Sequence, residues 1–167
     1  MPARSKADQT TIDYVAIRRL QDAYADVVTR RAWAELAELF LPDAVVEVDT
    51  RTNEPLRFEG PGALGAFIGD AIERFDFFEF VILNARVAIA PDGDADRAAA
   101  RVYMCELRTD RESKQWINAF GVYHDRYRRT DGRWWFEHRQ YHSLGRDAED
   151  GTGRVEAFEF PHHLTLD

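Results

Sequence analysis

Two short turn signals in the second half of the chain, Pro91-Asp92-Gly93-Asp94 and Thr130-Asp131-Gly132, sit between segments much longer than an ordinary strand. Asp-Gly pairs readily take the positive-φ conformation that tight hairpins require. The flanking segments, Phe80–Ala90 with Ala95–Arg108 and Gln115–Arg129 with Arg133–Leu144, therefore read as long antiparallel strands. Strands of this length carry a large accumulated twist, so the sheet is expected to curve strongly. Its concave side then needs an apolar cover.

The first half supplies that cover. Thr10–Asp13 has the pattern of a capping box, and Ile12, Ala16, Leu20, Ala23 and Val27 follow on one helical face. A second stripe, Trp33, Leu36, Ala37 and Phe40, stops at Pro42, before which helical backbone is strained. Ala44–Asp49 alternates and is β-branched, as in a first strand. After a loop marked by Pro55, Gly60, Pro61 and Gly62, a third helical stripe runs from Leu64 through Phe67, Ile68, Ala71 and Ile72 to Phe75, weakened by Gly65 and Gly69. Helices followed by a meander of strands predict an α+β domain over 11–144. A polar leader over 1–10 precedes it, and a Gly-containing tail over 145–167 follows, in which Phe158–Pro161 could pack back on the body or on a neighbouring chain. A curved sheet closed by helices encloses a pocket, where function is to be sought.

Composition narrows the function classes. With 167 residues the chain fits one domain, and at 45% hydrophobic residues it has the material for a core. The formal charge of −8 argues against a nucleic-acid binder, which relies on clustered Lys and Arg. Apolar runs such as Phe80–Leu83 fall far short of the ~20 residues of a membrane span, and no secretory leader is visible. The lone Cys105 rules out an internal disulfide and fits a reducing, cytoplasmic compartment. No phosphate-binding glycine loop, nucleophile elbow or helical His-x-x-x-His pattern occurs, so neither a cofactor nor a metal is expected; His162-His163 falls in the tail.

Strand alternation assigns the faces. On Arg97–Thr109 the even positions, Ala98 to Glu106, read as inward, and Cys105 as outward. On the last strand Trp134, Phe136, His138, Gln140 and His142 read as the inward set. Between them, Trp116, Asn118, Phe120, Val122 and His124 oppose Ile117, Ala119, Tyr123, Asp125 and Tyr127, with large apolar side chains on both faces. That pattern suggests helices on one side and a partner subunit on the other. Inward polar groups cost free energy unless they are paired. Glu106, Asn118, His124, His138 and His142 thus form either a hydrogen-bonded core network or a site for general acid–base work.

Tyr24-Ala25-Asp26-Val27-Val28-Thr29-Arg30-Arg31-Ala32-Trp33, Leu39-Phe40-Leu41-Pro42-Asp43-Ala44, Gly93-Asp94, Gly121-Val122-Tyr123-His124-Asp125-Arg126 and Asp131-Gly132-Arg133-Trp134 occur in that order. Together they resemble the SnoaL-like branch of the nuclear-transport-factor-2-like superfamily, from about Thr11 to Leu144. The resemblance implies a conical α+β barrel with a deep pocket, and relatives that include polyketide cyclases, scytalone dehydratase, steroid isomerases, dehydrochlorinases and ligand- or protein-binding members. It also implies a dimer or trimer formed through the outer sheet face. Scytalone-dehydratase-like members carry a catalytic aspartate near the end of the first helix and a histidine on a later strand. Here those positions hold Thr29 and Phe80 or Val81, so the usual dyad is missing.

Two functions follow as expectations. The first is a cofactor-independent lyase, isomerase or cyclase acting on an apolar cyclic small molecule. Asp26 or Glu106 would be its base, and His124 or His142 the acid or electrophilic partner. Tyr24 and Asn118 would orient a substrate oxygen, and Thr29, Phe80, Trp116, Phe120, Trp134 and Phe136 would complete the binding site. The second is a non-catalytic ligand-binding or assembly domain, which the missing dyad favours. Asp26 then simply pairs with Arg30 on the helix surface.

Overall fold

The structure, a computed structural model, describes residues 5–148, 150, 152–161 and 166; His162-His163 lies outside them. Helix α1 spans Lys6–Arg30 and starts earlier than the capping-box reading places it, because Ser5 is the cap: its hydroxyl accepts the Asp8 amide at 3.1 Å. Thr10 instead donates back to the Lys6 carbonyl at 3.0 Å. The buried face runs through Asp13, Ile17, Leu20, Gln21, Tyr24, Val27 and Val28, rotated from the expected stripe, and Ile12 is exposed. The rotation follows from Asp13, whose carboxylate accepts Trp134 Nε1 at 3.0 Å and Arg129 Nη1 at 2.8 Å and so fixes which face of the helix turns inward.

The second expected helix is a short 3-10 helix, Trp33–Glu38, since β1 begins at Phe40 and continues through Pro42 to Asp49. A strand not foreseen, β2 (Leu56–Glu59), pairs with β1 and leads into α2 (Gly60–Ile72). Gly65 and Gly69 weaken α2 as a helix but let it approach Trp33, which a Cβ at either position would meet at 3.2 Å. The strands that follow are β3 (Phe75–Ile89), β4 (Arg97–Asp110), β5 (Trp116–Thr130) and β6 (Arg133–Asp147).

The sheet runs β2-β1-β6-β5-β4-β3, with β7 (Val155–Ala157) paired to β6 beyond the end of β1. It is mixed rather than wholly antiparallel, because β1 and β6 lie side by side in parallel. The tail segment Gly145–Gly153, expected to be loose, is strand as far as Asp147, and Phe160 returns to stack on Tyr103 at 6.3 Å on the outer face. The α+β expectation holds: helices lie over a strongly curved sheet, and the core is shared by α1, the 3-10 helix, α2 and the inner faces of β1 and β3–β6. No helix among the described residues is long and apolar enough to cross a membrane.

Two bulges in β6 decide which side chains line the cone. Arg126 pairs with His138 but Tyr127 with Phe136, leaving Glu137 as an extra residue. Phe120 pairs with Gly145 but Gly121 with Ser143, leaving Leu144 as another. Because strand faces alternate residue by residue, each extra residue exchanges inside and outside beyond it.

Candidate active site

Helices α1 and α2 and the curved sheet enclose a cavity of about 250 Å³. Its apolar wall is drawn from Val28 on α1, Val46 and Val48 on β1, Ile68 and Ile72 on α2, and Phe75 and Phe80 on β3. The polar groups come from β4, β5 and β6, with Tyr24 reaching in from α1.

At the floor lies Arg139, which the first β6 bulge turns inward beside Val46. Its side chain is 2% exposed. Nε and Nη2 donate to the two oxygens of Asp125 at 2.8 Å each, a bidentate pair, and the guanidinium lies 4.0 Å from the Tyr24 ring centre and 4.2 Å from that of Tyr123. Burial works against its charge, but Asp125 outweighs burial and the net effect holds the group protonated. Asp125 also accepts the Tyr127 hydroxyl at 2.8 Å, and that hydroxyl accepts from Gln21 at 2.8 Å. The third guanidinium nitrogen, Nη1, is buried and has no hydrogen-bond partner among the described residues. A buried donor left unmade in this way costs about 1–3 kcal/mol, set here against the packing of the guanidinium on the Tyr24, Tyr123 and Phe136 rings.

Towards the mouth, Glu106 stands on β4 opposite Ala119, well along β5 from Asp125, the level of Arg139. Its side chain keeps 22% of its exposure, where it borders the cavity. Burial pushes its pKa above the ordinary carboxylate range, although Arg108, at 3.3 Å, pulls the other way. Ser143 follows Arg139 and Tyr141 on the inner face, and the second β6 bulge, at Leu144, brings Arg146 to the same cavity. Burial also raises the phenols: Tyr24 somewhat, against the Arg139 charge, Tyr123 well above its usual value, and Tyr141 likewise upward. All three remain neutral hydrogen-bond donors at physiological pH.

Tyr141 lies across Gly121, where an added Cβ would stand 2.2 Å from its ring. Gly121→Ala therefore has to shift the ring and the cavity wall with it. We expect a loss of about 1–3 kcal/mol in urea unfolding and a weakened affinity for any cavity ligand, measured on the same preparation.

Of the residues expected at the site, Glu106, Tyr24 and Phe80 line the cavity. Thr29 accepts the Phe80 amide at 3.0 Å, so the two dyad positions do meet, but through a backbone hydrogen bond. Trp134 and Phe136 face inward below the floor: Trp134 is held by Asp13, and Phe136 lies under the Arg139 guanidinium at 4.3 Å. The inward reading of His138, Gln140 and His142 is corrected by the bulge at Glu137. His138 meets Glu47 at 3.4 Å, and His142 stands 4.0 Å from Asp49. On β5 the face of Ala119, Tyr123, Asp125 and Tyr127 is the inner one, which leaves Trp116, Asn118, Phe120 and His124 on the other. Asn118 binds Asp147 there at 3.0 Å, and His124 borders a separate small recess with Arg97 and Glu137. Asp26 is exposed and paired with Arg30 at 2.8 Å. Cys105, outward as read, is nonetheless buried. Among the described residues no three His, Cys, Asp or Glu side chains are grouped as a metal site would need.

Arg139 and Asp125 are the features that sequence reasoning missed. Both belong to alternating charged and aromatic runs, and only the uninterrupted alternation assumed for β6 placed Arg139 outside.

Comparison with known proteins agrees with this architecture. A model of the SnoaL-like domain matches residues 9–140. A sequence comparison with curated proteins finds no match. Among solved structures, the chain is similar to hexachlorocyclohexane dehydrochlorinase LinA-type3 from Novosphingobium barchaimii, with TM-score 0.73 and 21% identity over 93% of this chain and 100% of that one. It is similar to a provisionally named scytalone dehydratase from Novosphingobium aromaticivorans, with TM-score 0.70 and 18% identity over 93% of each chain. An NTF2-like protein with a cystatin-like fold from the latter organism gives TM-score 0.66 and 21% identity over 86% of each chain. At these identities the likeness is one of fold alone. The chain belongs to the SnoaL-like domain family.

Proposed function

We propose that the chain is a cofactor-independent acid–base enzyme of the lyase, isomerase or cyclase type, acting on a largely apolar cyclic small molecule. The observation that carries the reading is a carboxylate of raised pKa, Glu106, in a cavity that also holds the buried, unpartnered Nη1 of Arg139 and neutral phenols. A carboxylate base of raised pKa and a set of fixed donors meet what enolisation or elimination requires: Glu106, once ionised, removes a proton from carbon, and Tyr24 or Tyr123, beside the Arg139 charge, takes up the charge developing on oxygen. A dehydrochlorinase and a dehydratase-named protein among the structural neighbours support this class. The test is exchange of α-hydrogen for deuterium in a panel of cyclic ketones and hydroxy-ketones, followed by NMR. Exchange that depends on Glu106 supports the proposal, and exchange equal in the wild type and Glu106→Gln overturns it.

The second reading, a binding or assembly domain without turnover, draws support from one contact, the Thr29 hydroxyl on the Phe80 amide where the dyad of scytalone-dehydratase-like relatives would stand. It predicts ligand-induced stabilisation with no exchange on any member of the panel. In either case we infer a homo-oligomer, a dimer or trimer. Support comes from the outer sheet face, where Phe77 and Trp116, both exposed, stack at 5.6 Å. Light scattering at micromolar concentration is expected to give a multiple of 19.3 kDa; a monomer overturns this.

A further inference from the structure

The cavity is apolar on its helical side, yet its charged lining is unbalanced. Arg74, Arg108, Arg139 and Arg146 border it, against the single carboxylate of Glu106, in a chain whose formal charge is −8. Three of these arginines gather towards the mouth. The Arg74 and Arg108 guanidiniums both lie on the Phe75 ring, 4.8 and 4.9 Å from its centre, and each has an acid beside it, Asp110 at 3.9 Å from Arg74 and Glu106 at 3.3 Å from Arg108. An anion beside such guanidiniums is held by their charge and by the donors that the acids leave over.

Neighbouring acids leave donors over. Arg108 uses Nη1 on Glu106 and Nε on the Ile117 carbonyl, at 3.5 Å. Arg146 uses Nε and Nη2 on Glu156, both at 3.3 Å. One terminal nitrogen of each is without a hydrogen-bond partner among the described residues, and each guanidinium has the planar fork that suits a carboxylate. At the other end, the side chain of Arg139 is enclosed among the Tyr24, Tyr123 and Phe136 rings. The polar demand thus lies at the mouth, above an apolar middle.

From this geometry we propose that the ligand is a cyclic carboxylate whose carboxylate lies at the mouth among Arg74, Arg108 and Arg146, with its ring against Phe75, Phe80 and Ile72. The inference deepens the acid–base reading by naming the substrate class, and as a statement about binding it can be tested apart from turnover.

Calorimetric titration with 2-naphthoate and its neutral isostere 2-naphthamide provides the test. At low salt the carboxylate is expected to bind about tenfold more tightly than the amide. Raising the salt from about 50 to about 500 mM is expected to erode most of that preference while leaving the amide unchanged. Arg74→Gln, at a half-exposed position, should weaken naphthoate several-fold and naphthamide not at all; Arg108→Lys, which keeps the charge, should retain part of the preference. Equal affinities, preference for the amide, saturation by neither compound, or an Arg74→Gln effect equal on both overturns the proposal. Glu106→Gln is expected to keep the carboxylate preference. Selective binding without exchange chemistry would sink only the enzyme reading, and exchange chemistry without selective binding would sink only this one.

Discussion

Replacing Glu106 with glutamine is expected to lower carbon-proton exchange by roughly 10²–10⁴-fold, the usual contribution of a positioned general base. The same substitution should raise thermal stability at pH values above the folded-state pKa of Glu106. Burial lifts the Glu106 pKa in the folded state above its unfolded value, so the folded protein binds the proton more tightly. The resulting stabilisation is fully present below the unfolded carboxylate pKa and is lost as pH rises through the folded value. Above the folded value the wild type therefore carries an ionised carboxylate in a place that disfavours it, and glutamine does not. Arg108 loses a 3.3 Å partner in the variant and keeps its bond to the Ile117 carbonyl, so the lost pair reduces the gain that relief of the buried charge brings. The melting-temperature difference between variant and wild type should shrink towards acid pH and vanish below the carboxylate range. The acid limb of kcat/KM in the wild type should lie above the ordinary carboxylate pKa, and should be absent from whatever activity the variant retains. A variant that is no more stable above the folded value, with activity intact, would remove Glu106 from the chemistry.

Asp125→Ala is expected to be the most damaging single change to stability, at about 3–5 kcal/mol in denaturant unfolding, because it leaves a buried guanidinium uncompensated. Asp125 gives both oxygens to Arg139 and accepts Tyr127 as well, and its side chain has no solvent exposure. By contrast, the double change Asp125→Leu with Arg139→Met removes both charges and should recover most of the loss, since a buried pair contributes little over an apolar replacement of similar volume. The recovered protein should still lack activity, because the Arg139 charge at the floor is gone. A single Asp125→Ala effect below about 1 kcal/mol would mean that water reaches Arg139 and that the floor is not sealed.

The sheet and helices were legible in the sequence because the signals behind them are local. The Asp131-Gly132 turn, with both residues at positive φ, fixes the β5–β6 hairpin whatever packs against it, Gly93 at positive φ helps the longer connection between Ile89 and Arg97 to turn back, and the alternation along β4 correctly turns Ala98 to Glu106 inward. The short β2 escaped notice because it is held by pairing to β1, not by any pattern of its own. Helix α1 began early for a related reason. Ser5 and Thr10 are both good caps by type, and only the docking of Asp13 onto Trp134 and Arg129 selects the register. At the cavity, the sequence pointed to Tyr24 and Glu106 and missed Arg139. A bulge is a count of residues between two strands, so no inspection of β6 alone could have found the one at Glu137. The three histidines His124, His138 and His142 attracted attention as the chemically versatile residues of their strands, but they lie on faces that the bulge and the β5 register direct away from the cone.

The bulge at Glu137 also bears on how such a pocket can change over evolutionary time. Upstream of it, Trp134 and Phe136 keep their inward positions whether or not the extra residue is present. Downstream, deletion of one codon would exchange the whole lining at a stroke, withdrawing Arg139 and Tyr141 and presenting His138, Gln140 and His142 in their place until the second bulge intervenes. The lineage thus has access, through a single-residue length change that leaves the hairpin turn and the hydrophobic base untouched, to two chemically distinct cavities: one built on a guanidinium and phenols, the other on imidazoles. Substrate preference in relatives of this chain should therefore track the number of residues between Phe136 and the next inward side chain more closely than it tracks overall sequence identity.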